Sequence, residues 1–288
     1  MNIFLKNTLK MAAFILGLAL MTGCSATKWD NVDKSPPVRG LLAMIQQDQM
    51  TNITDRGYRV IAAESAGKSF EQGEVDIRLL VIDSSGIPVQ KFVEDRTKLM
   101  HLIVVSKDLG TFMHVHPEYV GEGVFTVRIS FPHAGPYLLI SEFIPEHQDM
   151  TVHRQWITVA GEMPPKAETL PDDSYSQRMD DLHISLTASP GLDNIIAGEM
   201  VMLLFQVSDA ETLQPVGRLE TYLGASGHSV ILNSSADVYV HVHAAEEMSS
   251  GSNVMFHTVF PEAGIYKIWG QFQYEGKLTT VPFVVQVR

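Results

Sequence analysis

The chain has 288 residues, of which 45% are hydrophobic and 19% are charged, a composition typical of a folded protein of about two domains. Its 33 acidic and 21 basic residues give a formal charge of −12, which disfavours nucleic acid as a partner because phosphate backbones are bound mainly through Lys and Arg. The single cysteine excludes an internal disulfide, a cysteine-rich zinc site and an iron–sulfur cluster, so any metal ligands must be His, Met or carboxylates.

The N-terminal segment has the features of a secretory signal. Lys6 and Lys10 precede an apolar stretch over 11–21, which is too short for a stable membrane span. The sequence Met-Thr-Gly before Cys24 resembles the lipobox of bacterial lipoproteins, in which cleavage before the cysteine accompanies lipid attachment to its sulfur. We therefore predict a signal peptide over 1–23 and a lipidated Cys24. The protein would then be anchored on the extracytoplasmic side of the cell membrane or the outer membrane.

Two β-rich regions follow, separated by a proline-rich stretch. Residues 24–57 are polar and irregular and are predicted to form a tether. Short runs rich in Val, Ile, Leu, Phe and Tyr, broken by turn residues, indicate strands over 58–160 and again over 182–288. The acidic, proline-containing segment 161–181 is predicted to be a linker. The pattern indicates an all-β protein with two tandem β-sandwiches of immunoglobulin or cupredoxin type, and periodicity does not separate those two types.

The two regions are copies of one unit. The element Phe-Pro-x-Ala-Gly-x-Tyr occurs at 131–137 and again at 260–266. Pro and Gly favour a tight turn, and the tyrosine that ends the element is predicted to cover the end of the core rather than to act in catalysis. Each copy has about 100 residues, which suits a sandwich of seven or eight strands.

Three histidines recur with identical spacing in the two copies. They are His101, His114 and His116 in the first copy, and His228, His241 and His243 in the second. Side chains alternate along a strand, so both histidines of each His-x-His point to one face. A four-residue hairpin loop places His101 opposite His116. The same loop length in the second copy places His228 opposite His243, so each hairpin gathers three imidazoles on one face.

Imidazole nitrogens suit zinc, copper, nickel and iron, and three of them leave a position for a further ligand. We predict one three-histidine metal site in each domain, for copper or zinc. His133 and Glu262, at corresponding positions of the repeated turn, are candidates for a fourth ligand. A histidine ladder with a structural role is the alternative. The site also depends on the strand register, because a bulge would displace His101.

Several chemistries are disfavoured by the sequence. A blue-copper centre needs a thiolate, and the only cysteine is assigned to the lipid anchor. Three histidines hold the catalytic zinc of carbonic anhydrase, but the sequence shows no proton relay beside the histidines. We therefore predict a protein that is not an enzyme. The alternatives are an interaction module that docks on an envelope complex without metal and, less favoured, a zinc hydratase or hydrolase.

Three segments of the second copy carry a resemblance to a known family. Residues 223–228, 241–243 and 260–272 resemble bacterial extracytoplasmic lipoproteins built from YtkA-like or FixH-like immunoglobulin-type domains. The resemblance covers residues 58–288 and implies a membrane-anchored β-sandwich protein connected with metal handling, especially of copper. It implies no defined reaction. The copies differ after the His-x-His, where the first has Pro117 and the second has Ala244.

The function predicted from these features is a membrane-anchored, extracytoplasmic metal-binding lipoprotein that buffers or delivers copper or zinc. Its expected partners are the lipid membrane, contacted through acylated Cys24, and a membrane metal transporter or an oxidase-assembly protein.

Overall fold

The computed structural model describes residues 54–165 and 168–288. The predicted signal peptide, Cys24 and nearly all of the predicted tether lie outside the described residues. Strands dominate the described part of the chain, which also contains two single-turn 3-10 helices, Leu192–Asn194 and Glu246–Met248. Among the described residues no helix combines the length and apolar character needed to cross a membrane.

Nine strands form the first domain within the described residues. They are β1 (Arg59–Glu64), β2 (Gly73–Ile82), β3 (Phe92–Val93), β4 (Met100–Ser106), β5 (Phe112–Val115), β6 (Glu118–Gly121), β7 (Val124–Phe131), β8 (Gly135–Pro145) and β9 (Thr151–Val159). One antiparallel sheet has the order β1-β2-β7-β6, and the other has the order β3-β8-β4-β5, with β9 also paired to β8.

Eight strands form the second domain in the same described part of the chain. They are β10 (Ser176–Met179), β11 (Leu182–Ser189), β12 (Met200–Asp209), β13 (His228–Asn233), β14 (Tyr239–His243), β15 (Asn253–Val259), β16 (Gly264–Tyr274) and β17 (Lys277–Val287). The sheets have the orders β10-β11-β12-β15 and β14-β13-β16-β17. The predicted all-β fold with two tandem sandwiches is confirmed.

Strand β10 lies inside the segment predicted to be a linker. Its four residues, Ser-Gln-Arg-Met, contain one apolar side chain and form an edge strand that pairs with β11. An edge strand presents few side chains to the core, so it lacks the apolar alternation from which the other strands were predicted. The second sandwich therefore begins at Ser176 rather than at residue 182.

Each sandwich has its own core, and the repeated tyrosine closes one end of it. Tyr137 and Tyr266 are fully buried. Each hydroxyl donates a hydrogen bond of 3.0 Å to the backbone oxygen four residues earlier, that of His133 in the first domain and of Glu262 in the second. The predicted structural role of this tyrosine is confirmed.

The two histidine-bearing hairpins have the predicted register. In β4 and β5, Leu102 lies opposite Val115, and the backbone of Ser106 bonds that of Thr111 across the four-residue loop. In β13 and β14, His228 lies opposite His243. Loop length and side-chain alternation are therefore sufficient to set the positions of the histidines.

The outer faces of the two hairpin sheets pack against each other. All residues of β4 and of β13 are buried, because one face of each strand meets its own sandwich core and the other face meets the other domain. Leu102 and Val104 lie in the first core, whereas Ile103 and Val105 lie in the cluster between the domains. That cluster contains Ile103, Val105, Leu109, Leu138, Ile140 and Val152 from the first domain, and Val230, Leu232, Ala236, Tyr239 and Trp269 from the second.

Trp269 is a central contact of this cluster between the domains. It is 3% exposed, and its ring stacks on Phe112 of the other domain with the centroids 4.8 Å apart and an angle of 15° between the ring planes. Lys267 lies over the same ring at 5.5 Å. Burial of an aromatic side chain of this size is a major stabilising contact.

We expect Trp269→Ala to lower the free energy of unfolding by about 3 to 5 kcal/mol, because it leaves a cavity between the domains. Urea unfolding followed by circular dichroism measures this change. The matched control is Trp156→Ala, which removes a tryptophan that is 45% exposed on β9 and should cost less than about 1 kcal/mol. Equal losses for the two variants would contradict a stabilising interface.

Candidate metal centre

The packing of the two sheets places all six repeated histidines in the same region. Along β4 the residues that face the other domain are odd-numbered, and His101 is one of them. The same alternation brings His241 of β14 to the interface beside Tyr239. Five of the six are buried, and His116 is half-buried.

The six imidazoles form two compact triads. The first triad is His101, His114 and His116, and the second triad is His228, His241 and His243. In each triad, one ring nitrogen per residue lies within 4.8 Å of the corresponding nitrogens of the other two. The structure therefore brings together all six residues predicted from the spacing, three from each domain.

Several of these nitrogens have no hydrogen-bond partner. In the second triad they are Nδ1 of His228, Nε2 of His241 and Nε2 of His243, all inaccessible to solvent and unpaired among the described residues. Nε2 of His116 in the first triad is unpaired in the same way. Because buried polar atoms in folded proteins are nearly always hydrogen-bonded, such a concentration of unpaired nitrogens calls for an ordered water, a bound ion or a functional role at these atoms.

Backbone carbonyl groups hold the first histidine of each triad. Nε2 of His101 donates to the oxygen of Asp95 at 3.0 Å, and Nε2 of His228 donates to the oxygen of Tyr222 at 2.8 Å. Each donation places the ring proton on Nε2 and leaves the Nδ1 lone pair for another partner. Nδ1 of His101 lies 3.1 Å from Nε2 of His114.

The two carbonyls belong to equivalent turns. In the first domain the turn spans 95–98, with positive φ of 47° at Arg96 and 72° at Thr97. In the second it spans 222–225, with 49° at Leu223 and 72° at Gly224. Two successive positive φ values are the mark of a type I′ turn, which reverses the chain sharply. The same backbone geometry therefore positions the same histidine atom in both domains.

The second histidine of each triad is held from the opposite domain. Nδ1 of His241 donates to Oε2 of Glu142 at 2.7 Å, and Nδ1 of His114 donates to Oε1 of Gln271 at 2.7 Å. Glu142 lies opposite His101 in the sheet, and Gln271 lies opposite His228. Each domain thus supplies the residue that orients a ring of the other domain's triad and places the lone pair of that ring on Nε2, which faces the other histidines of the triad.

Burial keeps most of the histidines neutral. Burial, together with the neighbouring imidazoles, lowers the pKa of His116 and of His228 to about 3. It also lowers the pKa values of His101, His114 and His243. Neutral imidazole is the form that binds a metal ion.

His241 differs because of the buried carboxylate beside it. Burial alone would lower the pKa of His241, but the charge and hydrogen bond of Glu142 raise it above its ordinary value. Burial of Glu142 acts to raise its own pKa, and the attraction of His241 brings the net shift below the ordinary value. The two groups therefore stabilise each other's charged forms.

The predicted fourth ligands lie elsewhere. Nε2 of His133 is 2.9 Å from Oγ1 of Thr111, at the loop end of the hairpin and away from the triad. Glu262 accepts a hydrogen bond of 3.2 Å from Nδ2 of Asn233, at the corresponding end in the second domain. These two candidates do not reach the triads, because the repeated turn closes the opposite end of each sandwich.

Reasoning from the sequence missed Glu142 and Gln271. Each lies five residues after the tyrosine of the repeated element, Tyr137 or Tyr266, so alignment of the two copies places them at one position. A Glu in one copy aligned with a Gln in the other, in the middle of an apolar strand, was the signal that the sequence offered.

The two sandwiches correspond to two matches with one family. Residues 53–161 and 177–288 match the model of a domain of unknown function, DUF8832. The chain belongs to the DUF8832 family. No curated protein gives a match to the sequence. The repeat found in the sequence is therefore a pair of DUF8832 domains, and each domain contributes one triad.

Three of the solved structures that resemble the two DUF8832 domains are bacterial proteins. The FdeC adhesin of Escherichia coli is 12% identical with a TM-score of 0.26, over 82% of this chain and 66% of that one. Invasin, a bacterial integrin-binding protein, is 11% identical with a TM-score of 0.22, over 78% and 39%. A putative membrane anchored protein from Corynebacterium diphtheriae is 10% identical with a TM-score of 0.22, over 80% and 57%. This chain thus spans no more than 66% of their lengths, and TM-scores this low support no functional inference.

We expect the metal-free protein to lose stability as the pH falls below 6.5. Unfolded histidines bind protons there, whereas His228 and His243 stay neutral in the folded state because burial lowers their pKa values. These two residues together should lower the free energy of unfolding by about 3 kcal/mol between pH 7.5 and pH 5.5. His241 acts in the opposite direction, since its pKa is raised.

Urea unfolding at a series of pH values, with a chelator present, measures this profile. The control is the double variant His228→Gln, His243→Gln, whose profile should be flatter by about the same 3 kcal/mol. A profile of the unchanged protein that is level from pH 7.5 to pH 5.5 would contradict the neutral, buried state of the triads.

Proposed function

We propose that each triad binds one copper or zinc ion and that the protein is an extracytoplasmic, lipid-anchored metal-binding protein. The observation that supports this most directly is the set of three buried, unpaired nitrogens in the second triad. Their rings are oriented by Glu142 and by the carbonyl of Tyr222, the kind of outer partner that histidine ligands of metals have.

A purely structural histidine cluster explains these nitrogens less well. A buried nitrogen without a partner costs about 1 to 3 kcal/mol relative to one that is hydrogen-bonded. A ladder of packed histidines would leave several neighbouring nitrogens without a hydrogen-bond partner, and each would destabilise the fold. A cation bound by the three lone pairs would satisfy all of them at once.

The donor set favours copper or zinc. Both triads offer imidazole nitrogen alone, which is a ligand for zinc and oxidised copper, whereas Cu(I) favours the softer sulfur donors. Three nitrogen ligands leave a fourth position for water or for a group from a partner. Such a position suits a protein that passes its ion to another.

The burial of the triads favours binding over catalysis. Five of the six histidines are buried between the domains, and a substrate would have to enter the same closed interface. Buffering or delivery of the ion needs only the ion to pass. The resemblance to YtkA-like and FixH-like lipoproteins supports a partner at the membrane, a metal transporter or an oxidase-assembly protein.

Metal stoichiometry tests this function. The chain from residue 24, with Cys24→Ser so that no lipid is attached, is dialysed against Zn²⁺ or Cu²⁺ and analysed for bound metal. We expect about two ions per chain, because each triad brings three imidazole nitrogens together. The pair His114→Ala, His116→Ala should lose one ion, and the pair His241→Ala, His243→Ala should lose the other.

The control for these variants removes two histidines that lie outside the triads. His147 is exposed on the surface, and His183 contacts Ser176. The double variant His147→Ala, His183→Ala should retain two ions. Absence of bound metal in the unchanged protein, or binding that survives the loss of both triads, would refute the proposal.

The anchor is tested separately in cells. We expect the unchanged protein in the membrane fraction and Cys24→Ala in the soluble extracytoplasmic fraction, because acyl chains on the sulfur would supply the membrane affinity. Fractionation and immunoblotting measure the distribution. An unchanged distribution of the Cys24→Ala protein would show that the cysteine does not hold it at the membrane.

A further inference from the structure

The two triads differ in the charge of the residue that the opposite domain supplies. The carboxylate of Glu142 accepts a hydrogen bond from His241, whereas the neutral amide of Gln271 accepts one from His114. The geometry of the two contacts is the same, since both join Nδ1 to a side-chain oxygen at 2.7 Å. The first histidine of each triad is held by a backbone carbonyl in both cases. In the first triad the Asp95 carboxylate also lies near His101, with its Oδ2 4.0 Å from Nε2 and no hydrogen bond between them. Only His241 is hydrogen-bonded to a carboxylate, and the charge of that acceptor is the difference between the two contacts to the second histidine.

Both side chains are fixed in the buried interface. Glu142 is 0% exposed, and its second oxygen accepts a hydrogen bond of 3.0 Å from the hydroxyl of Tyr239. Gln271 is 2% exposed, and its amide donates to Oγ1 of Thr280 at 3.1 Å. Each residue therefore presents one defined oxygen to its imidazole. The charge of Glu142 is weakly screened because water is excluded around it.

We propose that Glu142 is a positioning residue that makes the second triad the tighter of the two metal sites, so that the second triad fills first. This inference rests on the proposed function. A carboxylate that accepts a hydrogen bond from a ligand imidazole increases the electron density of the ring and balances the charge of the cation. The amide of Gln271 orients His114 equally well but contributes no net charge.

The proximity of the triads increases the difference in metal affinity between the first ion bound and the second. The ring of His114 lies with its centroid 5.6 Å from that of His241 and 6.0 Å from that of His228. Two cations held by these rings would repel each other in a region that water does not screen. The first ion therefore occupies the second triad, in which His241 is hydrogen-bonded to the Glu142 carboxylate. The second ion then binds to the first triad more weakly than it would if the second triad were empty.

Competition titration with Zn²⁺ and a chromophoric chelator tests the order of filling. The chain carrying Cys24→Ser should show two steps that differ by at least about tenfold. Glu142→Gln should weaken the tighter step by about 10 to 100-fold, so that the two steps approach each other. Gln271→Glu should tighten the weaker step, a gain of affinity that damage to the fold would not produce.

Two further variants assign the steps to the triads. The pair His241→Ala, His243→Ala should remove the tighter step, and the pair His114→Ala, His116→Ala should leave it. The exchange Glu142→Gln with Gln271→Glu restores the number of charges and should reverse the order in which the triads fill. Circular dichroism checks that each variant is folded. If Glu142→Gln does not fold, Gln271→Glu alone tests whether a carboxylate acceptor tightens the metal site.

The results separate this inference from the proposed function. Two ions of equal affinity, an unchanged tighter step in folded Glu142→Gln, or no gain in Gln271→Glu would overturn the role of Glu142 and leave metal binding intact. Loss of the tighter step with the first triad instead of the second would also overturn it. Absence of Zn²⁺ binding by the unchanged protein would refute the proposed function itself.

Discussion

The features of the site depend on one packing contact, in which the outer face of the β4–β5–β8 region meets that of the β13–β14–β16 region. Ile103 and Val105 on one side and Val230 and Leu232 on the other form an apolar cluster that excludes water. The histidines lie on the same faces because they are an even number of residues away along the strands. The apolar contact therefore removes the imidazoles from solvent, and it brings Glu142 and Gln271 to the triads of the opposite domains.

This burial produces opposing effects in the metal-free protein. It lowers the pKa values of five histidines and so keeps their lone pairs available at neutral pH, but it also deprives several nitrogens of water. The apolar packing of Trp269 and its neighbours contributes stability that opposes the loss of those hydrogen bonds to water. His116 is the only half-buried member of the two triads.

The sequence was sufficient to predict the features that depend on residues close together in the chain, namely the hairpin register and the face on which each histidine lies. Loop length sets the hairpin register, and strand alternation puts His114 and His116 on one face. The docking of the domains involves residues far apart in the chain, and Ile103 or Val230 have the same pattern as ordinary core residues. The unbroken burial of β4, where even Ser106 is covered, reflects a strand with protein on both faces, which an alternating pattern does not predict. Glu142 was missed for the same reason, because a carboxylate on an outer face is normally solvated.

The two copies of the domain keep the contacts that depend on backbone and vary those that depend on side chains. Asp95 and Tyr222 have unrelated side chains, yet both supply a carbonyl oxygen to the first histidine, since any residue in that turn offers the same acceptor. The contact to the second histidine comes from a side chain, and there a single exchange between acid and amide changes the charge while it preserves shape and hydrogen bonding. Orientation of the imidazoles is therefore common to the two sites, whereas their electrostatics can diverge through one atom of Glu142 or Gln271. Two equal copies of a domain can in this way provide two unequal sites within one interface.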